Sequence, residues 1–161
     1  MVADCAQSTR IRAAAAQTRK AAENFLMFLL DTCVLSESVK IEPHPSVVRW
    51  MKFQDQSTLF ISTVTLGELH YGVARLSSSA KQRALGSWVD EIEQRFADRV
   101  IVLDDSVAKQ WGYLRAAHPN TPTVDAQIAA TALAYGLAFV TRNVKHFRLE
   151  GLSVINPWDM A

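Results

Sequence analysis

The sequence predicts an α/β fold, a three-layer α/β/α sandwich with a mainly parallel central sheet. Short apolar runs without a polar face recur along the chain, and such runs are typical of strands covered on both sides. Between them lie longer stretches whose apolar residues recur with helical spacing. Strands that alternate with helices indicate crossover connections between parallel strands, with helices on both faces of the sheet.

The strands and helices follow one another in order along the chain. The apolar runs predict strands at 25–30, 59–62, 100–103, 137–140 and 153–155. Apolar spacing, together with Pro and Ser signals at the helix ends, predicts helices near 47–53, 66–76, 85–96, 106–115 and 122–135. Ser77-Ser78-Ser79 is expected to supply the N-cap between the second and third of these helices.

A single domain accounts for most of the chain. Its 161 residues, 49% of them hydrophobic, suffice for one core. Because strand chemistry begins near Phe25, we assign the domain to residues 25–161. We treat residues 1–24 as an N-terminal extension that is helical, disordered, or upstream of a native start at Met27. This extension lacks the apolar run of a signal peptide or membrane span.

The bulk composition excludes several classes of protein. Two cysteines without C-x-x-C spacing support neither a disulfide scaffold nor a Cys-rich zinc site, so a reducing cytoplasm without membrane attachment is expected. A net charge of +1 means that attraction to nucleic acid must come from local clusters of basic residues. Glycine-rich nucleotide-binding motifs do not occur.

Four polar residues lie at predicted strand ends or helix starts, where ligand sites form in such a fold, although each also has a structural interpretation. Asp31 follows the first strand and is equally suited to a turn or helix cap, and Asp104 shows the same local pattern. Glu68 fits a capping box with Thr65. The two remaining residues are Asp125, in a predicted first turn after Thr121 as N-cap and Pro122 as first helical residue, and Asn143, after the 137–140 strand.

Taken together, these four residues indicate a site. In an open parallel sheet, ligands bind outside the carboxyl ends of the strands, where the following helices begin. If the strand order brings these ends together, three carboxylates and an amide share one crevice. Adjacent carboxylates repel one another and recruit protons or a cation, and oxygen ligands suit Mg²⁺ or Mn²⁺.

The chain resembles PIN-domain ribonucleases, specifically the VapC/FitB-like toxins of type II toxin–antitoxin modules. The resemblance covers essentially all of residues 27–158 and rests on ordered motifs rather than on any single one. These motifs are Phe28-Leu29-Leu30-Asp31-Thr32, Ser62-Thr63-Val64-Thr65-Leu66-Gly67-Glu68-Leu69, Asp125-Ala126-Gln127-Ile128-Ala129-Ala130-Thr131-Ala132, Val140-Thr141-Arg142-Asn143 and Asn156-Pro157-Trp158.

The resemblance implies a metal-dependent endoribonuclease that acts as a homodimer and is silenced by a cognate VapB-like antitoxin. It implies that Asp31, Glu68 and Asp125 ligate Mg²⁺ or Mn²⁺. Asn143 can also coordinate the ion, through its carbonyl oxygen or through a water. Thr32 and Thr141 would support the site by hydrogen bonding, and the acids would orient the attacking water.

Two features leave a second interpretation open. The family often has Asn where this chain has Cys33, and it carries a fourth acid where this chain has Asn143 or His146. The alternative is therefore a PIN-like binding module with weakened catalysis that acts through antitoxin or nucleic-acid complexes. A basic segment beside the site is expected to contact RNA phosphates or to be a solvated loop; it comprises Arg142, Lys145, His146 and Arg148.

Overall fold

The computed structural model describes residues 26–147 and 149–160, and within them five parallel strands form one sheet. The order across the sheet is β3-β2-β1-β4-β5, so the first strand of the chain lies at the centre. The strands are β1 (Phe28–Leu30), β2 (Leu59–Ser62), β3 (Val100–Ile101), β4 (Ala138–Val140) and β5 (Val154–Ile155). All five predicted strands are present, and the predicted extension at 1–24 lies outside the described residues.

Six α-helices occur in the described part of the chain. They are α1 (Thr32–Ser36), α2 (Pro45–Phe53), α3 (Thr63–Ala74), α4 (Ser79–Arg95), α5 (Asp105–Ala117) and α6 (Thr123–Tyr135). Short 3-10 turns at Glu37–Val39, Gln56–Thr58, Val144–Phe147 and Pro157–Asp159 complete the chain. The sequence pattern located five of the six helices and gave no range for α1, since five residues are too few to show helical periodicity.

The helices cover both faces of the sheet, which confirms the three-layer α/β/α prediction. Phe28 and Leu30 pack into one core with side chains of α1, α2, α3 and α4. Leu29, which points to the opposite face, packs into a second core with α5 and α6. Leu29 and Leu30 are completely buried, so each contributes roughly 1.5–3 kcal/mol of hydrophobic stabilisation and holds β1 at the centre.

Two predicted helix starts are wrong. Ser62, at the end of β2, caps α3 by accepting a hydrogen bond from the Thr65 amide at 3.0 Å. The helix therefore starts at Thr63, so Thr65 is not its cap and Glu68 does not complete a capping box. In the same way, Pro122 is the N-cap residue of α6 rather than its first helical residue, which displaces Thr121 from the cap. Ser78 does cap α4 as predicted, and Asp104 caps α5.

The register of the sheet positions the site. Leu30 of β1 lies opposite Val140 of β4, so the residues that follow them leave the sheet side by side. The Asp31 amide continues this pairing by donating to the Val140 carbonyl at 3.0 Å. Asp31 and Thr141, which are far apart in sequence, are therefore neighbours at the carboxyl edge.

Candidate active site

An open cavity of about 590 Å³ lies at the carboxyl edge of the sheet. Its walls come from the end of β1, from α1, α3 and α6, and from the segment after β4. The lining residues are Asp31, Thr32, Cys33, Ser36, Glu68, Val124, Asp125, Ile128, Arg142 and Asn143. The fold thus brings together the three carboxylates and the amide that the sequence singled out.

Asp31 is held by hydrogen bonds from three directions. As N-cap of α1 it accepts the Thr32 amide through Oδ1 at 2.7 Å. Its Oδ2 accepts the Thr141 hydroxyl at 2.6 Å and the Cys33 thiol at 3.2 Å. A carboxylate has about four acceptor positions, so one on Oδ1 remains for a ligand in the cavity. The capping interpretation and the ligand interpretation of Asp31 are therefore compatible.

The two threonines support Asp31 in different ways. Thr141 is fully buried below the cavity, and its hydroxyl oxygen also accepts the Asn143 amide at 3.0 Å. Thr32 acts through its backbone, because its buried hydroxyl has no hydrogen-bond partner within residues 26–147 and 149–160. An unpaired hydroxyl destabilises the folded state when it is kept from water, and Thr32 is one of the residues that line the carboxylate cavity.

Glu68 reaches the cavity from the second turn of α3, not from the first turn as the sequence predicted. The helix begins at Thr63, which makes Glu68 its sixth residue. Because Ser62 performs the capping, the Glu68 carboxylate is not engaged with the helix end. Within the described part of the chain, no hydrogen bond or ion pair involves the Glu68 carboxylate, so its oxygens are available to a ligand in the cavity.

Asp125 lies in the first turn of α6, as predicted, and contacts a residue whose proximity the sequence pattern did not predict. His146 Nδ1 is 3.1 Å from Asp125 Oδ2 and 2.8 Å from Asn143 Nδ2. In a neutral imidazole one nitrogen either donates or accepts, so both contacts cannot be hydrogen bonds at once with the amide in this orientation. Turning the Asn143 amide end for end would let Nδ1–H face two acceptor oxygens.

The sequence pattern did not predict the role of Cys33, which contacts Asp31, Thr141 and Arg142. Its thiol donates to Asp31, its sulfur accepts the Arg142 amide at 3.4 Å, and it lies 3.8 Å from Thr141 Oγ1. Burial, followed by the negative charge of Asp31, raises the pKa of the Cys33 thiol to about 12. The protonated thiol therefore joins the end of β1 to the end of β4. The only sequence signal for this role is its position two residues after Asp31.

The ligand chemistry of the cavity is that of oxygen donors. Among the described residues, no three His, Cys, Asp or Glu side chains are arranged as a ready metal-binding cluster. Mg²⁺ keeps several of its waters and binds through one or two carboxylates, so it does not require such a cluster. The remaining acceptor of Asp31 and the carboxylate of Glu68 fit a hydrated Mg²⁺ or Mn²⁺ in their donor chemistry.

The predicted basic segment divides between two places. Arg142 lines the carboxylate cavity, with its guanidinium carbon 5.7 Å from the centre of the Trp158 ring, a cation–π distance. Lys145 and His146 line a neighbouring cavity. Arg148 lies outside the described residues. The segment is therefore not one uniform rim around the acidic centre.

None of the helices in the described residues has the length and apolar character needed to cross a bilayer.

Comparison with known proteins identifies the family. The model of the PIN domain matches residues 28–152. The plasmid stability protein StbB of Pseudomonas syringae pathovar tomato is 39% identical over 83% of this chain and 99% of its own length. The VapC ribonuclease Y4jK of Sinorhizobium fredii is 34% identical over 84% of this chain and its entire length.

A solved structure shows the same fold. The crystal structure of FitAcB from Neisseria gonorrhoeae matches with a TM-score of 0.79 and 32% identity, covering 83% of this chain and 100% of the matched chain. The family model, the two relatives and this structure each match most of the chain, and all three comparisons indicate the same fold and family. The chain therefore belongs to the PIN domain family.

Proposed function

We propose that this protein is a metal-dependent endoribonuclease toxin that hydrolyses RNA phosphodiesters and is neutralised by a cognate VapB-like antitoxin. The observation that carries the proposal is the cavity in which Asp31, Glu68, Asp125 and Asn143 meet beside Arg142. Y4jK, which is named a VapC ribonuclease, matches this chain over its entire length. The proposed cofactor is Mg²⁺ or Mn²⁺, with Asp31, Glu68, Asp125 and Asn143 as its ligands.

The residues divide the proposed reaction among them. A divalent ion supplies positive charge that neutralises the phosphodiester and makes water a better nucleophile. Asp31 is held in one orientation by Thr141 and by the Thr32 amide, which limits the cost of ordering it when a ligand binds. We assign to Glu68 and Asp125 the orientation of the attacking water and acceptance of its proton.

Arg142 is the group assigned to bind the phosphate. Its guanidinium lies against Trp158 and on the wall of the cavity, and it suits bidentate bonding to phosphate oxygens. The proposed assembly is a homodimer that binds its antitoxin and works in the cytoplasm, where its RNA substrate is found.

The test is an RNA cleavage assay with the purified, antitoxin-free protein. Total RNA is incubated with Mg²⁺, with Mn²⁺ or with EDTA, beside Asp125→Asn and Glu68→Gln. We expect cleavage with either metal, none with EDTA, and a loss of at least about a hundredfold in each variant. Glu93→Gln is the matched control, because Glu93 is an exposed carboxylate that pairs with His70 and does not line the cavity.

Cleavage in EDTA, or unchanged cleavage in both variants, contradicts the proposed mechanism. Thermal melting of each variant shows whether a loss of activity is only a loss of folding.

A second candidate function is a binding module with weakened catalysis. Its supporting observation is that Asn143 and His146, which stand at the family's fourth-acid positions, contact each other, and His146 contacts Asp125, so neither position adds a carboxylate. Absence of cleavage by a folded protein supplied with metal, with cleavage appearing in Asn143→Asp, supports this candidate. Robust cleavage by the unchanged chain eliminates it.

A further inference from the structure

A second cavity, of about 430 Å³, adjoins the carboxylate cavity. It lies between the turn that joins α5 to α6 and the 3-10 turn at Val144–Phe147. Its lining contains the Lys145 ammonium group and the imidazole rings of His118 and His146, and none of the described residues in the lining is acidic. The cavity therefore favours an anion.

The turn that forms one wall of this basic cavity is fixed by hydrogen bonds. Arg115 Nη1 donates to the Thr121 carbonyl at 2.6 Å and to the Pro119 carbonyl at 3.3 Å. The Thr121 amide donates to the His118 carbonyl at 3.1 Å. Because these bonds already order the turn, little further conformational entropy of the protein is lost when a ligand binds there.

His146 lines the basic cavity and contacts Asp125 and Asn143, which line the carboxylate cavity. Its ring lines the basic cavity, while its Nδ1 lies 3.1 Å from Asp125 Oδ2 in the carboxylate cavity. Lys145 and His118 are exposed at the basic cavity, and within the described residues no carboxylate forms an ion pair with Lys145. A ligand with phosphates at successive positions can thus reach both cavities with one continuous strand.

We propose that the basic cavity is a phosphate subsite, which binds a phosphate of the RNA strand next to the phosphodiester that is cleaved. Lys145 supplies the fixed charge, and His118 supplies a ring N–H donor. The inference rests on the proposed function for its ligand, and it adds His118 to the RNA-contacting residues. It also separates Lys145, which binds the flanking phosphate, from Arg142 at the cleaved one.

The first experiment measures RNA binding in EDTA, where cleavage does not interfere. A fluorescein-labelled oligouridylate is titrated with the Glu68→Gln protein, alone and combined with Lys145→Gln or His118→Gln, over a range of salt concentrations. The slope of log K against log salt is negative, and each phosphate contact removed from a single strand reduces its magnitude by about 0.7. We expect Lys145→Gln to weaken binding and reduce the slope by this amount.

Lys81→Gln, in the same background, is the control, because Lys81 is an exposed lysine at the start of α4 that does not line the basic cavity. It removes the same charge and is expected to leave the slope unchanged. An unaltered slope in Lys145→Gln, or the same loss in Lys81→Gln, overturns the subsite.

The second experiment locates the phosphate. In an RNA fragment carrying the mapped cleavage site, single phosphates are replaced one at a time by neutral methylphosphonates. One flanking replacement is expected to weaken binding to the Glu68→Gln protein and to have no further effect once Lys145→Gln is present. An effect that is equal at every position, or that persists in the double variant, contradicts the assignment.

The outcomes separate this inference from the proposed function. If the unchanged chain fails to cleave RNA but Lys145→Gln still reduces the salt slope, the endonuclease proposal fails and the subsite stands. If cleavage occurs but the slope is unaltered in Lys145→Gln, only the subsite fails.

Discussion

The carboxyl ends of β1 and β3 carry the same local pattern but have different roles. In each, a short strand is followed within three residues by an aspartate that caps the next helix, Asp31 for α1 and Asp104 for α5. Asp104 accepts the Val107 amide at 3.0 Å and the Tyr135 hydroxyl at 2.9 Å. Asp31 also caps its helix, but it lines a cavity together with Glu68 and Asp125.

The difference comes from the position of the two strands in the sheet. β1 is central, with β2 on one side and β4 on the other, so the segments after three strands meet near Asp31. β3 is an edge strand that pairs only with β2. The polar residues that line the carboxylate cavity therefore gather beside β1. Whether an aspartate after a strand contributes to a site depends on its neighbours in space, and its local sequence does not encode those neighbours.

The largest expected effect is the difference in RNA cleavage between Asp31→Asn and Asp104→Asn. Asp31→Asn keeps the oxygen that caps α1 but removes the negative charge, so we expect RNA cleavage to fall by at least about a hundredfold. Asp104→Asn is the matched control and should leave cleavage unchanged. Initial rates on one RNA substrate measure both. Equal rates for the two variants would contradict the assignment of different roles to Asp31 and Asp104.

A smaller effect is expected from Thr141→Val, which removes the hydroxyl that holds Asp31. A hydrogen bond to a charged group contributes about 1.5–3 kcal/mol, so a loss of about tenfold or more in cleavage is expected. Thr131→Val is the control, because Thr131 is also a buried threonine but its hydroxyl bonds the Gln127 carbonyl within α6. Cleavage rates and thermal melts are compared for both. A similar loss of activity in Thr131→Val would show that the effect is general destabilisation.

Glu37 sharpens the contrast between a structural and a functional carboxylate. This side chain is buried six residues after Asp31, where it accepts Lys40 Nζ at 2.6 Å and the His44 amide at 2.8 Å. Burial alone would raise the pKa of Glu37, but the bonds from Lys40 and His44 outweigh it and hold the pKa below its ordinary value. Ionised Glu37 therefore stabilises the fold without contributing to the cavity.

Glu37→Gln is accordingly expected to reduce the free energy of unfolding at pH 7 by about 1–3 kcal/mol. Because the folded pKa is depressed, the contribution of the charge is present above the unfolded pKa of about 4.5 and is lost as pH falls through the folded pKa. Urea denaturation at several pH values should show the two proteins converging in acid. A difference that grows on acidification would contradict this origin.

The smallest expected effect concerns the reactivity of Cys33. Burial and the charge of Asp31 raise the pKa of its thiol to about 12, so almost no reactive thiolate is present near pH 7. Iodoacetamide should leave the peptide containing Cys33 unmodified in the folded protein and modify it after denaturation. Peptide mapping by mass spectrometry measures this. Rapid modification of the folded protein would show that the thiol is not held protonated beside Asp31.

Much of the site was predictable because Asp31 and Asn143 follow strands and Asp125 follows a helix start. Asp31, Asp125 and Asn143 were located by apolar runs and by helix starts, and the structure brings them to one cavity. Glu68 was found for the wrong local reason, since Ser62 rather than Thr65 caps α3. The contact between His146 and Asp125 could not be inferred, because it depends on how the 3-10 turn after β4 packs beside α6.

The sequence by itself determined the alternation of strands and helices, because apolar periodicity is a local property that each segment carries in its own residues. It also determined that β1 is buried on both faces, since Phe28, Leu29 and Leu30 have no polar face among them. Only the tertiary structure decided the strand order, which depends on non-local packing of the two cores. That order places Asp31 in a cavity with Glu68 and Asp125, whereas Asp104 follows the edge strand β3.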